Sequence, residues 1–91
     1  MNRVAINKEV TVTALYFRGR GQMKSFPKRM EYEGHEYTFM ESGLRFLVQK
    51  GQQLTQIFDM TDGSASYRLK FSDQDKLWTL VDITEAPRAF A

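Results

Sequence analysis

His35 stands between Glu33 and Glu36, and an imidazole with two carboxylates is a ligand set that zinc accepts. The three residues crowd into what reads as a tight turn, where strand alternation sends neighbouring side chains apart. A chain with a single histidine and no cysteine also lacks the ligands for a closed structural zinc site, so His35 is expected to be a solvated turn residue and no metal site is expected. Catalysis has as little to draw on. A triad would have to use the same histidine at a hairpin tip, thiol chemistry is excluded, and Asp59, Asp62, Asp73 and Asp75 fall on a polar face or in turns instead of converging on a cleft. No phosphate-cradling glycine pattern occurs. Asp82 is expected on an inner sheet face opposite Tyr67, where a buried carboxylate would need the phenol as its partner. An activity would be sought there, or at a site completed by another subunit. The reading is of a protein that is not an enzyme and has no cofactor and no evident small-molecule substrate.

The cations offer more. Tyr16, Phe17, Phe26, Tyr32 and Tyr37 interleave with Arg18, Arg20, Lys24, Lys28 and Arg29, the mixture with which small β-barrels hold single strands of RNA or DNA: cations follow phosphates and flat rings stack on bases. Residues 1–30 carry seven Lys or Arg against Glu9 alone, a local balance of +6, while the rest of the chain stands at −4 and the whole at +2. No acid lies between Val10 and Met30, so one edge of the fold should be positive although the molecule nearly balances. The first expectation is a nucleic-acid-binding module held through Arg18, Arg20, Lys24, Lys28 and Arg29, with Tyr16 or Phe26 as stacking platforms. No RRM or zinc-finger pattern accompanies these residues. The alternative is a protein-interaction or self-association module in which the uncharged run Val10 to Phe17 adds as a strand to a partner protein or, across a two-fold axis, to a homodimer.

These side chains need strands to position them. Leu54 to Phe71 reads as a hairpin about a type I′ turn at Asp62-Gly63, pairing Thr61 with Ser64, Met60 with Ala65, Asp59 with Ser66 and Phe58 with Tyr67. One face then collects Leu54, Phe58, Met60, Ala65, Tyr67, Leu69 and Phe71. The other collects Thr55, Ile57, Asp59, Ser66, Arg68 and Lys70, with Asp59 and Arg68 as a diagonal surface ion pair. A second hairpin, with Gly34-His35 central to a type II′ turn, pairs Tyr32 with Tyr37 and Met30 with Phe39. Leu77 to Ile83 returns antiparallel, and pairing Ser72 with Leu77 sets Trp78 beside Phe71 and Leu80 beside Leu69 while leaving Leu77, Val81 and Ile83 as a second apolar face.

Val10 to Phe17 is a strand that must be paired or shielded. Gln22 to Phe26 is a weak strand, and Pro27, which cannot donate to a ladder, places it at an edge or corner. Leu44, Phe46 and Val48 alternate as a strand does, and pairing Val48 with Leu54 and Leu44 with Phe58 extends the main hairpin; Ser42 could instead N-cap a two-turn helix stopped at Gly51 with Leu44, Leu47 and Val48 inward, and the strand is favoured. Residues 85–91, with Pro87, are expected to fray. The chain as a whole, residues 1–91, reads as one all-β domain: a small antiparallel β-barrel or two-layer β-sandwich of six to seven short strands joined as hairpins. MNRVAINKEV has no apolar core of a signal peptide, and no run approaches a membrane span, so a cytoplasmic protein with no membrane association is expected.

Overall fold

A computed structural model of the chain describes residues 3–18 and 24–85. It contains seven strands: β1 (Arg3–Arg18), β2 (Lys24–Tyr32), β3 (His35–Thr38), β4 (Gly43–Lys50), β5 (Gln53–Thr61), β6 (Ser66–Ser72) and β7 (Leu77–Thr84). All neighbours are antiparallel, in the order β3-β2-β1-β7-β6-β5-β4. Among the described residues no helix is long and apolar enough to cross a membrane.

The sixteen-residue β1 turns this sheet into two layers. Its first half pairs with β7, from Arg3 opposite Thr84 to Val10 opposite Trp78, and its second half with β2, from Thr11 opposite Glu31 to Arg18 opposite Lys24. Register irregularities at residues 5–8 and 12–15 bend the strand between the two tasks, which is what extra residues in a ladder do. The β1–β2–β3 layer thereby folds over β5–β6–β7, and aromatic rings meet across the gap. Phe26 stands edge-on to Phe58 at 5.8 Å, and Tyr37 and Phe39 lie 5.7 and 5.2 Å from Tyr67. Met30, Met60, Leu69 and Leu80 complete a core with no solvent exposure at those four positions. The barrel does not close, because β3 and β4 share no ladder. At one end the chain after β3 ties the layers together instead: the Phe39 amide donates to the Lys28 carbonyl and the Met40 amide to the Thr61 carbonyl, both at 2.7 Å.

Both hairpin registers differ from the sequence reading by two residues. Asp62-Gly63 is not a two-residue turn; the loop runs from Asp62 to Ala65, so that Thr61 faces Ser66, Met60 faces Tyr67 and Phe58 faces Leu69. The Asp62 carboxylate organises it, accepting from the Ser64 and Ala65 amides and the Ser64 hydroxyl at 2.9 Å each, an Asx-type turn. The other turn centres on Glu33-Gly34, both at positive φ (51° and 77°) as type I′ requires, and brings Tyr32 opposite His35. Because each slip is an even number of residues, every side chain keeps its expected face.

The β6–β7 pairing follows the expected register from Ser72 opposite Leu77 to Leu69 opposite Leu80, and then departs from it. A bulge at Val81 reverses the alternation, so Ile83 joins the core beside Tyr67 and Asp82 moves to the outer face opposite Arg68. Residues 42–51 contain the strand and no helix. β2 begins at Lys24, with Gln22 and Met23 outside the described residues. Pro27 falls where β2 is paired to β1 alone, since β3 reaches only Arg29 to Tyr32. The tail expectation lies outside the described residues beyond Glu85.

Candidate interaction surfaces

Of the basic and aromatic residues, Arg18 and Lys24 occupy paired positions at the end of the β1–β2 ladder, and Arg20 lies outside the described residues. Lys28 and Arg29 turn back onto the domain. The Lys28 ammonium sits 5.4 Å above the Tyr16 ring, and Arg29 Nε lies 3.6 Å from Glu36 Oε1, beyond hydrogen-bond length. The stacking platforms are spent on the fold. Phe26 is 7% exposed with its ring against Phe58, and the half-buried Tyr16 donates its hydroxyl to the Phe39 carbonyl at 2.8 Å. Phe26 is a core residue, with little of its ring open to a base, while Tyr16 keeps part of its ring exposed. Phe17 is the ring of this hairpin that faces solvent, at 63% exposure.

Glu33, His35 and Glu36 are all exposed at the β2–β3 turn, where Glu36 leans toward Arg29. Asp82 and Tyr67 do not meet. Tyr67 donates to Asp62 Oδ2 at 2.7 Å; burial and that carboxylate raise the phenol above its ordinary range. Burial alone would raise the Asp62 carboxyl, but the phenol, the two amides and the serine hydroxyl outweigh it and hold the group below the usual carboxylate range.

Asp82 belongs to a row of alternating charge across the outer face of four strands: Asp59 on β5, Arg68 on β6, Asp82 on β7 and Arg3 on β1. Arg68 grips Asp59 with two bonds of 2.7 and 2.8 Å, and Arg3 donates to Asp82 Oδ2 through Nε at 2.9 Å with Nη2 at 2.8 Å. The carboxylates are 3% and 2% exposed, so the expected surface ion pair of Asp59 with Arg68 is in fact buried on its acidic side. The Asp59 bond, opposed by burial, lifts the Arg68 guanidinium further above its ordinary value. Carboxylates engaged in this way are occupied by structure. An open depression lined by Gln52, Gln53, Leu54, Asp73 and Gln74 adds amides and one acid, without cation or nucleophile.

The sequence reading set Val48 opposite Leu54 and Leu44 opposite Phe58 on the core side; β4 does pair with β5, but one residue out of that register, which turns Leu44, Phe46 and Val48 to the other face of β4. Among the described residues β4 pairs with β5 alone, so its second edge is free over eight residues. Leu44, Phe46 and Val48 lie on the outer face, opposite Asp59, Ile57 and Thr55, and Leu47 lies on the other face opposite Gln56. All four are between 45% and 56% exposed. Edge strands are ordinarily blunted by charge, proline or brevity. β3, the opposite edge, has four residues that include His35 and Glu36, whereas β4 has Arg45 and a terminal Lys50 as its only charges.

The turn into β5 fixes which backbone groups are offered. Lys50 and Gln53 close a two-residue turn in which Gly51 takes φ +63°, and the pair flanking such a turn is hydrogen-bonded. Alternation from there bonds Val48, Phe46 and Leu44 to β5 and directs the amides and carbonyls of Gln49, Leu47, Arg45 and Gly43 outward. The edge therefore combines outward peptide groups with apolar side chains on both faces. The sequence signal was present in four apolar residues among the five from Leu44 to Val48; what it lacked was the register against β5, where a slip of one residue exchanges the faces. The Val10 to Phe17 run is paired to Trp78 at its start and to β2 thereafter, with Leu15 and Phe17 exposed beside that ladder. Comparison of the chain with family models, with curated proteins and with solved structures gives no match.

Proposed function

We propose that this chain is a non-catalytic protein-binding module that captures an extended segment as an additional strand along β4. The observation that carries the reading is an eight-residue edge, unpaired among the described residues, with Leu44, Phe46, Leu47 and Val48 all about half exposed. Strand addition draws its affinity from main-chain hydrogen bonds and its selectivity from alternate side chains, and β4 supplies both. The interaction reading of the sequence is kept, with β4 in place of Val10 to Phe17. A chain without cysteine suits a reducing compartment such as the cytosol.

A test follows from the outward direction of the Leu47 amide. Proline at that position removes a donor from the free edge and none from the β4–β5 ladder. A panel of extended peptides of alternating apolar and polar residues should bind the native chain, and Leu47→Pro should weaken that binding at least tenfold with an unchanged circular dichroism spectrum. Equal affinity in the two proteins, or no binding to either, removes the proposal.

A second reading, binding of single-stranded nucleic acid, draws on Arg18 and Lys24 at the hairpin end with the exposed Phe17 beside them. Titration of RNA and DNA oligonucleotides over a range of salt checks it: phosphate contacts give a steep fall of affinity with salt that Arg18→Glu/Arg20→Glu flattens. Absence of binding at low salt discards it.

A further inference from the structure

Resting on the edge reading above, we infer that the strand that occupies β4 is β4 of a second copy, paired antiparallel about a two-fold axis through Phe46. In a continuous sheet the outward peptide groups of one copy must face those of the other, and side chains must match face for face. Both conditions confine β4–β4 pairing to registers that place one residue opposite itself. With Phe46 at the centre, Leu44 meets Val48 of the second copy, Arg45 meets Leu47, and Gly43 meets Gln49, so Leu44, Phe46 and Val48 on the outer face each meet an apolar residue. All four outward residues of each strand find a partner, roughly eight main-chain hydrogen bonds in all.

Charge selects this register over its neighbours. Centring on Arg45 sets two guanidinium groups opposite one another, and like charges directly across a ladder repel. Centring on Leu47 sets Leu44 against Lys50 and leaves Gly43 beyond the end of the opposing strand. About Phe46, Lys50 lies opposite Ser42, next to Glu41 of the second copy, and no cation of β4 stands directly opposite a cation, the two Arg45 residues being set diagonally, farther apart than in the Arg45-centred register. The strand is self-complementary in one alignment, which is the condition for an isologous interface. Two such edges bury on the order of 1,000 Å², at the lower limit for specific association, so the dimer forms with rising concentration and exchanges with monomer.

Sedimentation velocity on the unmodified chain over micromolar to millimolar concentration is the first experiment. A shift from the 10.6 kDa monomer to twice that mass, lost in Leu47→Pro, is expected. A native chain that stays monomeric throughout overturns the inference. If peptides still bind it in a Leu47-dependent manner, the edge reading survives without self-pairing; if neither occurs, both fall. The register has its own probe because the chain contains no cysteine. Residues opposite one another at a non-hydrogen-bonded position lie about 4.5 Å apart at Cα, within disulfide range. Under a glutathione redox buffer Phe46→Cys should become a covalent dimer, and Arg45→Cys and Leu47→Cys, self-opposed in the rejected registers, should stay reduced. Faster crosslinking of either of those two overturns the alignment.

Discussion

Replacing Arg68 with methionine should be among the most damaging single changes available outside the apolar core. The guanidinium makes two bonds below 2.9 Å to an Asp59 carboxylate that is 3% exposed, and it faces Asp82, 2% exposed, across the next strand. Methionine keeps much of the packing volume and removes both charged donors. Breaking a buried ion pair from one side costs about 3–5 kcal/mol, because the surviving charge remains desolvated. The Arg68 side chain is 32% exposed and Asp82 keeps Arg3, so water and the remaining cation soften the loss to about 2–4 kcal/mol. Against a total of about 5–14 kcal/mol for a domain of this length, that is a large share. With a urea slope of about 1 kcal/mol/M, the unfolding midpoint should fall by about 2 M or more at neutral pH. Asp59→Leu/Arg68→Met, which removes both charges, should recover most of the deficit, since an apolar pair of similar volume is close to neutral there. A loss below about 1 kcal/mol in Arg68→Met would refute the reasoning and return the pair to the standing of an exposed surface contact.

Two further outcomes follow from the turn and from the seam of β4. Asp62 titrates below its ordinary value when folded, so its contribution is fully present above the unfolded carboxylate value of about 3.9 and is lost as pH falls through the folded value. Asp62→Asn should therefore be less stable than the native chain by about 1 kcal/mol at pH 7, and the gap should narrow toward zero in urea titrations run progressively below about pH 4; a gap independent of pH contradicts the assignment. At Gly43, a Cβ would lie 2.5 Å from the Met60 sulfur and 3.2 Å from the Asp59 carbonyl oxygen, and Met60 is fully buried. Gly43→Val should cost about 1–3 kcal/mol by overpacking, measured in the same unfolding assay, and a cost near zero would mean that β4 does not lie this close to β5.

What was legible in the sequence was alternation, and what was not was everything that interrupts it. Phe58, Met60, Tyr67 and Leu69 were assigned to the core face by period alone, and the even-numbered register errors at both turns left that assignment intact. The Asp62 loop and the Glu33-Gly34 turn were misread because a carboxylate that caps its own loop, and a glutamate held at positive φ, compete with the simpler glycine rule. The bulge at Val81 had no local signature. It is fixed by what alternation would otherwise bury, an aspartate against Tyr67 in place of Ile83, and that preference exists only once β6 is alongside with Arg68 to receive the carboxylate. The basic hairpin was read correctly as a run of cations, but Phe26 and Tyr16 look the same in sequence whether they face a base or a core, and strand pairing decided for the core.

The openness of β4 follows from the way the layers are joined. Closing this sheet into a barrel would require β3 and β4 to pair, yet β3 ends at Thr38, and the next two residues already spend their amides on Lys28 and Thr61. That tie holds the end of one layer to the other with only Glu41 and Ser42 left before β4 begins, and the chain enters β4 on the side of β5 away from β6. No residue of β3 remains to cover it. A fold that left such an edge to solvent as an accident would be expected to carry lysine, proline or a short strand there, as the opposite edge carries polar residues over four positions. β4 carries instead a phenylalanine flanked evenly by leucine and valine on one face, a leucine on the other, and cations that pairing about Phe46 sets directly opposite no other cation. Exposure of that sequence along eight residues is costly for an isolated chain and economical for one that associates through it.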